Sequence, residues 1–188
     1  MSVTPVLKKL EQFFSDQQSI VYPLLLDGIS RAEIDEKKKA LNLSFPPEVY
    51  ELFEWKNGIK DSDNLTIGQC RLFPWGILES FDGLLGVYKF STTKKYFSDI
   101  YFPILTSGGG DYILINCNED DEFYGYVYWY SPALYGTELD LRFNSLHTYL
   151  QCVLECFEAG AYLFEGGVFE ERAELADTIL TKYMIPEV

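Results

Sequence analysis

Between Tyr112 and Tyr130 the chain reads as two runs of β-forming residues around a polar loop. Tyr112 to Cys117 is the first run, Asn118 to Glu122 is the loop, and Phe123 to Tyr130 is the second. The second run carries tyrosine at every other position, Tyr124, Tyr126, Tyr128 and Tyr130, with Gly125, Val127 and Trp129 between them. Side chains on a strand alternate between its faces, so this spacing predicts four tyrosines on one face and Val127 and Trp129 on the core side. Two such runs joined by a polar segment predict a β-hairpin with a long, exposed, acidic loop. The tyrosine face fits either of two roles, a core layer under a helix or a surface that meets a partner.

Helical periodicity brackets this β-rich centre. Val6, Leu7, Leu10, Phe13 and Phe14 recur at helical spacing between Thr4 and Gln18. Ser30 with Glu33 three residues later forms a capping-box pattern for a helix that runs through Lys37-Lys38-Lys39 to Leu41. Pro47 can open the next helix, with Val49, Tyr50, Leu52, Phe53 and Trp55, because its missing N–H is not needed there. Asn57-Gly58 would stop that helix, since both residues tolerate positive φ. Leu65 to Phe73 and Gly76 to Ser80 read as strands joined at Pro74, Asp82 to Tyr96 as containing a helix, and Phe102 to Leu105 as a further strand. Ser145 to Ala161 is an apolar helix, and Gly166-Gly167 separates it from a last helix over Phe169 to Tyr183. This order predicts an α+β fold, a central mixed or antiparallel sheet flanked by N- and C-terminal helices, with residues 1–188 as one domain.

Charge narrows the class of partner. Twenty-nine acids against fifteen bases give a net charge of −14 in 188 residues. Such a field repels nucleic acid and anionic membrane, and it speeds encounter with a basic partner by roughly 10- to 1,000-fold. The same acidity also serves solubility, so charge alone leaves both roles open. The start of the chain, Met1 to Pro5, lacks the basic-then-apolar pattern of a secretory leader, and no apolar run approaches the length of a membrane span. Cys70, Cys117, Cys152 and Cys156 lie in apolar or strand-like segments without the spacing of a disulfide framework, so buried free thiols in the cytoplasm are expected.

Candidate chemical centres fail on particular residues. The single histidine, His147, follows Ser145, but no Gly-x-Ser-x-Gly surrounds that serine, which reads instead as a helix cap. Cys152 and Cys156 share a helix face without a second Cys/His pair at zinc spacing. Gly108-Gly109-Gly110 is followed by a strand and no lysine, which is the wrong setting for a phosphate cradle. Asn116 to Asp121 begins like a calcium loop, yet Asp121 stands where the glycine belongs and Val127 where the closing glutamate belongs. Acids are too abundant for any carboxylate pair to mark a glycosidase. The expectation is therefore a protein without enzymatic activity, cofactor or metal.

Two stretches resemble the SUKH superfamily, also called the SMI1/KNR4 family. The first runs from Leu43 through Pro46-Pro47 to Asn57-Gly58, similar to the family's proline-opened helix ending in an Asn-Gly turn. The second is Phe102-Pro103-Ile104-Leu105-Thr106-Ser107-Gly108-Gly109-Gly110-Asp111 with the strand that follows, then Gly125-Tyr126-Val127-Tyr128. It resembles the family's Gly-Gly-Asp turn and later Gly-x-Val strand. The resemblance covers roughly Ile34 to Leu154, with helical extensions at both ends. It departs from the pattern at Ser131-Pro132, where many members carry an acid and a histidine. It implies an α+β fold without catalysis and, among bacterial members, immunity proteins that bind and neutralise polymorphic toxins, often nucleases. Fungal relatives imply the alternative of a regulatory interaction scaffold without a toxin partner. Together with the charge, it points to a toxin with a basic surface, met by Glu119, Asp120, Asp121, Glu122, Tyr124, Tyr126 and Tyr128. Pro47, Asn57, Gly58, Gly109, Gly110 and Asp111 are expected to be structural.

Overall fold

A computed structural model of the chain describes residues 1–60 and 64–186. Helix α1 (Thr4–Asp16) begins without a side-chain cap of its own, because Val3 stands at the N-cap. The cap comes from helix α3 (Pro47–Trp55): Oε2 of Glu51 accepts the amides of Val3 and Thr4 at 2.9 and 2.8 Å and the hydroxyls of Ser2 and Thr4 at 2.6 Å each. Burial alone would push this carboxyl up, but the hydrogen bonds from Ser2, Thr4 and Val3 outweigh it and hold the group below its usual range. A carboxylate with a lowered folded-state pKa stabilises above its ordinary pKa and loses that contribution as pH falls through the folded value. Glu51→Ala should therefore cost about 1–2 kcal/mol at neutral pH. In urea melts that difference should shrink as pH falls through the lowered pKa of the folded-state carboxyl.

Strand β1 (Leu25–Asp27) and strand β2 (Lys56–Ile59) form a small antiparallel pair. Between them helix α2 (Arg31–Lys38) carries the expected reciprocal cap, with Ser30 and Glu33 bonding each other's backbone. The Pro47 helix forms as expected but is not stopped by Asn57-Gly58. It ends at Trp55, Lys56 is already extended, and the two residues lie in β2. There Asn57 Oδ1 accepts the Phe81 amide at 2.9 Å. Gly58 takes φ +84°, and a Cβ on it would sit 2.4 Å from the Ser80 nitrogen. The pair thus docks the start of helix α4 (Phe81–Lys94).

The strand expected over Leu65 to Phe73 is absent. A 3₁₀ turn occupies Ile67–Cys70, because Thr66 and Gln69 cap each other and local side-chain bonds outcompete a ladder. Gly76 to Ser80 likewise contributes only isolated bridges, Phe73 to Gly76 and Ile77 to Thr106. Pro74 supplies no donor there, and Trp75 turns the chain at φ +63°.

The central sheet is antiparallel, in the order β3 (Tyr101–Thr106), β4 (Tyr112–Asn116), β5 (Val127–Tyr130), β6 (Leu139–Phe143). A one-turn helix α5 (Pro132–Tyr135) links β5 to β6. Helix α6 (Leu146–Glu158) starts at Ser145, whose hydroxyl accepts the Thr148 amide. The segment after it does not pass straight into a helix. Strands β7 (Tyr162–Glu165) and β8 (Val168–Glu171) form a hairpin before helix α7 (Ala173–Tyr183). Gly166 and Gly167, at φ +58° and +82°, supply the two left-handed residues that a tight hairpin turn needs.

The inner sheet face and all the helices but the short α5 contribute to one cluster of buried residues extending from Val3 to Leu180. Phe14 is fully buried within it, with ring centroids 5.7–6.5 Å from Phe164, Phe73, Phe157 and Trp55. No helix among the described residues is long and apolar enough to cross a membrane.

Candidate functional site

The outer face of the sheet is assembled by alternation. Tyr112 and Leu114 of β4, Tyr128 and Tyr130 of β5, Leu139 and Leu141 of β6 and Tyr101 of β3 meet there with Phe97 and Tyr126, and no helix residue joins the cluster. The rings interlock: Tyr101 lies edge-on to Tyr128 at 5.0 Å, Tyr112 stacks on Tyr130 at 6.1 Å, and Phe97 lies edge-on to Tyr130 at 5.6 Å. Burial pushes the Tyr101 and Tyr128 phenols up, and the nearby Asp121 carboxylate acts in the same direction. Both therefore remain neutral hydroxyls at physiological pH.

The expected strand over Phe123 to Tyr130 is shorter, and this divides the tyrosines. Asp121 Oδ1 accepts the Phe123 amide, the Tyr124 amide bonds Asp121 O, the Tyr126 amide bonds Phe123 O, and Gly125 turns at φ +81°. The ladder register starts only at Val127, although Asn116 already bonds the backbone of Gly125 and Tyr126. Tyr126, Tyr128 and Tyr130 share the outer face, whereas Tyr124 leaves it for the surroundings of Cys117, Glu119 and Glu48. Tyr128 and Tyr130 are 7% and 3% exposed, so they support the face from beneath. Tyr126, Tyr101 and Tyr112 are half-buried and so remain partly open to solvent. Val127 and the partly buried Trp129 pack toward the main core, as the alternation predicts.

Beside this face the acidic loop is held by successive Asx bonds. Asn116 Oδ1 accepts the Asn118 amide at 2.9 Å and Asn118 Oδ1 accepts the Asp120 amide at 3.2 Å. Glu119, Asp120 and Glu122 are exposed, Asp121 is half-buried, and none of the four is in an ion pair among the described residues. A shaped backbone thus presents four uncompensated acids next to exposed aromatic edges. Phe123, 38% exposed and edge-on to Tyr126 at 5.3 Å, joins the two; the sequence reading passed over it.

The Gly-rich turn lies at the opposite end of the β3–β4 hairpin from this loop. Asp111 does not hold its backbone amides. The Ser107 hydroxyl accepts the Gly109 and Asp111 amides, each at 3.1 Å, and donates to Asp111 Oδ2 at 3.2 Å. Gly108 and Gly110 are left-handed, and Gly109 is not. Residues 28–152 match the sequence profile of the SMI1 / KNR4 family (SUKH-1), which spans more than half of the chain. The chain belongs to this family. No curated protein matches it. The family portion thus contains α2 to β6 and most of α6, and with them both the tyrosine face and the acidic loop. Helix α1 and the β7–β8–α7 segment lie outside it.

The remaining chemistry-bearing residues are structurally engaged. Ser145 bonds Thr148 and Asn144, and no hydrogen bond links it to His147. All four cysteines are free thiols. Cys117, Cys152 and Cys156 are buried, and burial pushes the Cys117 thiol well up, which keeps it protonated and unreactive.

Proposed function

We propose that this chain is a non-enzymatic immunity protein of the SMI1/KNR4 family, which binds a cognate toxin with a basic surface in the cytoplasm and neutralises it by occupying that surface. The observation that carries the reading is the pairing of a partly exposed tyrosine face with four carboxylates, Glu119 to Glu122, that make no ion pair among the described residues. Tyrosine supplies large contact area at low entropic cost, and an acidic rim selects and steers a cationic partner. A standard interface of roughly 1,600 Å² in total would take in the loop and the outer face together. The net charge of −14 acts in the same sense, and a nuclease toxin would present the basic groove that such a surface fits.

A toxin with a basic surface, of the kind proposed as partner, is the probe. Tyr126→Ala, which trims a half-buried ring outside the main core, should weaken the complex by roughly 5- to 30-fold while circular dichroism stays unchanged. Calorimetry with purified partners reads this, and unaltered affinity would remove the outer face from the interface.

A further inference from the structure

A second aromatic and acidic site lies where the family portion meets the C-terminal extension. A cavity of about 590 Å³ is bounded by Trp75 and Trp129 from the family portion and by Glu171, Asp177 and the apolar side of α7 from the extension. The two indoles stack at 6.0 Å with 23° between their planes, and both are only partly buried. Trp75 reaches this position from a left-handed backbone that a bulky side chain rarely adopts. The turn is pinned by the Tyr149 hydroxyl, which donates to Pro74 O at 3.2 Å, and by the Phe73–Gly76 bridge. Strain kept in place to present an indole, where Leu or Phe would fill a core, is a mark of use.

The site already accepts one guanidinium. That of Arg142 lies 5.1 Å from the Trp129 ring centroid, but its charge is taken up by Asp140 and its Nη2 donates to the Tyr135 hydroxyl. The carboxylates of Glu171 and Asp177 are in no ion pair among the described residues. Partial desolvation pushes the Glu171 carboxyl up, and Asp177 adds to this against the opposing pull of Arg71. The solvent-facing parts of two indoles beside two carboxylates that make no ion pair among the described residues match the planar, weakly hydrated arginine head, which stacks and pairs at once.

We propose that this cavity receives an arginine side chain of the protein partner, as a second contact point away from the acidic loop. The proposal deepens the protein-binding reading, but its test needs no toxin. N-acetyl-arginine-N-methylamide is titrated into the ¹⁵N-labelled full chain while the indole N–H signals of its three tryptophans are followed. Trp55 is an internal control, because its Nε1 donates to Glu11 at 3.0 Å in another part of the fold. The Trp75 and Trp129 signals should move saturably with a dissociation constant on the order of millimolar, as one side chain allows. The Trp55 signal should stay fixed, and the citrulline analogue should give no saturable shift. Glu171→Gln and Asp177→Asn each remove one exposed charge, and together they should weaken binding about tenfold. No saturable shift, equal movement of Trp55, or unchanged affinity in the double variant would overturn the proposal. Such a failure leaves the acidic loop untouched as a toxin-binding surface, whereas a toxin that binds without contacting the loop leaves this site standing.

Discussion

Phe14→Ala should lower stability by about 3–5 kcal/mol, the cost of emptying a fully buried aromatic site that cannot collapse. Phe14 sits on α1, outside the family portion, yet its ring meets Trp55, Phe73 and Phe157 within that portion or beside it, and Phe164 in the C-terminal hairpin. The residue therefore joins both extensions to the family fold. A loss of this size is a large fraction of the roughly 5–15 kcal/mol that holds a domain together. At roughly 2–4 °C per kcal/mol for a chain of this length, the melting temperature should fall by roughly 6–20 °C. Because the buried cluster is continuous from Val3 to Leu180, calorimetry should show one transition moving as a whole. Two transitions, with only the first displaced, would mean that the extensions fold separately from the family portion.

Reversing the acidic loop, Glu119→Lys with Asp120→Lys and Glu122→Lys, should slow association with a basic toxin by roughly 10- to 1,000-fold and leave the fold unchanged. The three side chains are exposed and make no ion pair among the described residues, so their replacement removes no ion pair from the folded state. Asp121 is kept, because its Oδ1 accepts the Phe123 amide and shapes the loop. Stopped-flow mixing at two ionic strengths separates steering from contact. Steering by exposed charges is screened over about 8 Å at physiological salt, so the wild-type and reversed rates should converge as salt rises. Rates that differ equally at all salt concentrations would assign the loop a contact role instead.

Local chemistry was the part of the fold legible in the sequence. Ser30 with Glu33, Pro47 and Ser145 mark helix starts because a cap or an N1 proline depends on only a few neighbouring residues. The β4–β5 hairpin was legible from its two-residue period, although its second strand starts four residues late, at Val127, after the turn through Gly125. The 3₁₀ turn at Ile67–Cys70 was missed because apolar residues there suggest a strand while Thr66 and Gln69 close a local cap. The β7–β8 hairpin did carry a signal, two adjacent glycines between Tyr162–Glu165 and Val168–Glu171, but the nearby helix pattern of α7 overshadowed it. The tyrosine face was half legible. Alternation places Tyr128 and Tyr130 together, while only the sheet order brings Tyr101 and Tyr112 beside them. The Trp75–Trp129 site had no sequence signal, since its walls come from residues 75, 129, 171 and 177, joined only by packing.

The most direct measurement mixes the purified chain with the basic toxin proposed as its partner, following complex formation by size-exclusion chromatography and toxin activity in the same samples. A stoichiometric complex in which the toxin is inactive, weakened by the three lysine substitutions, is the predicted result. No complex at micromolar concentrations with the toxin fully active would contradict the account.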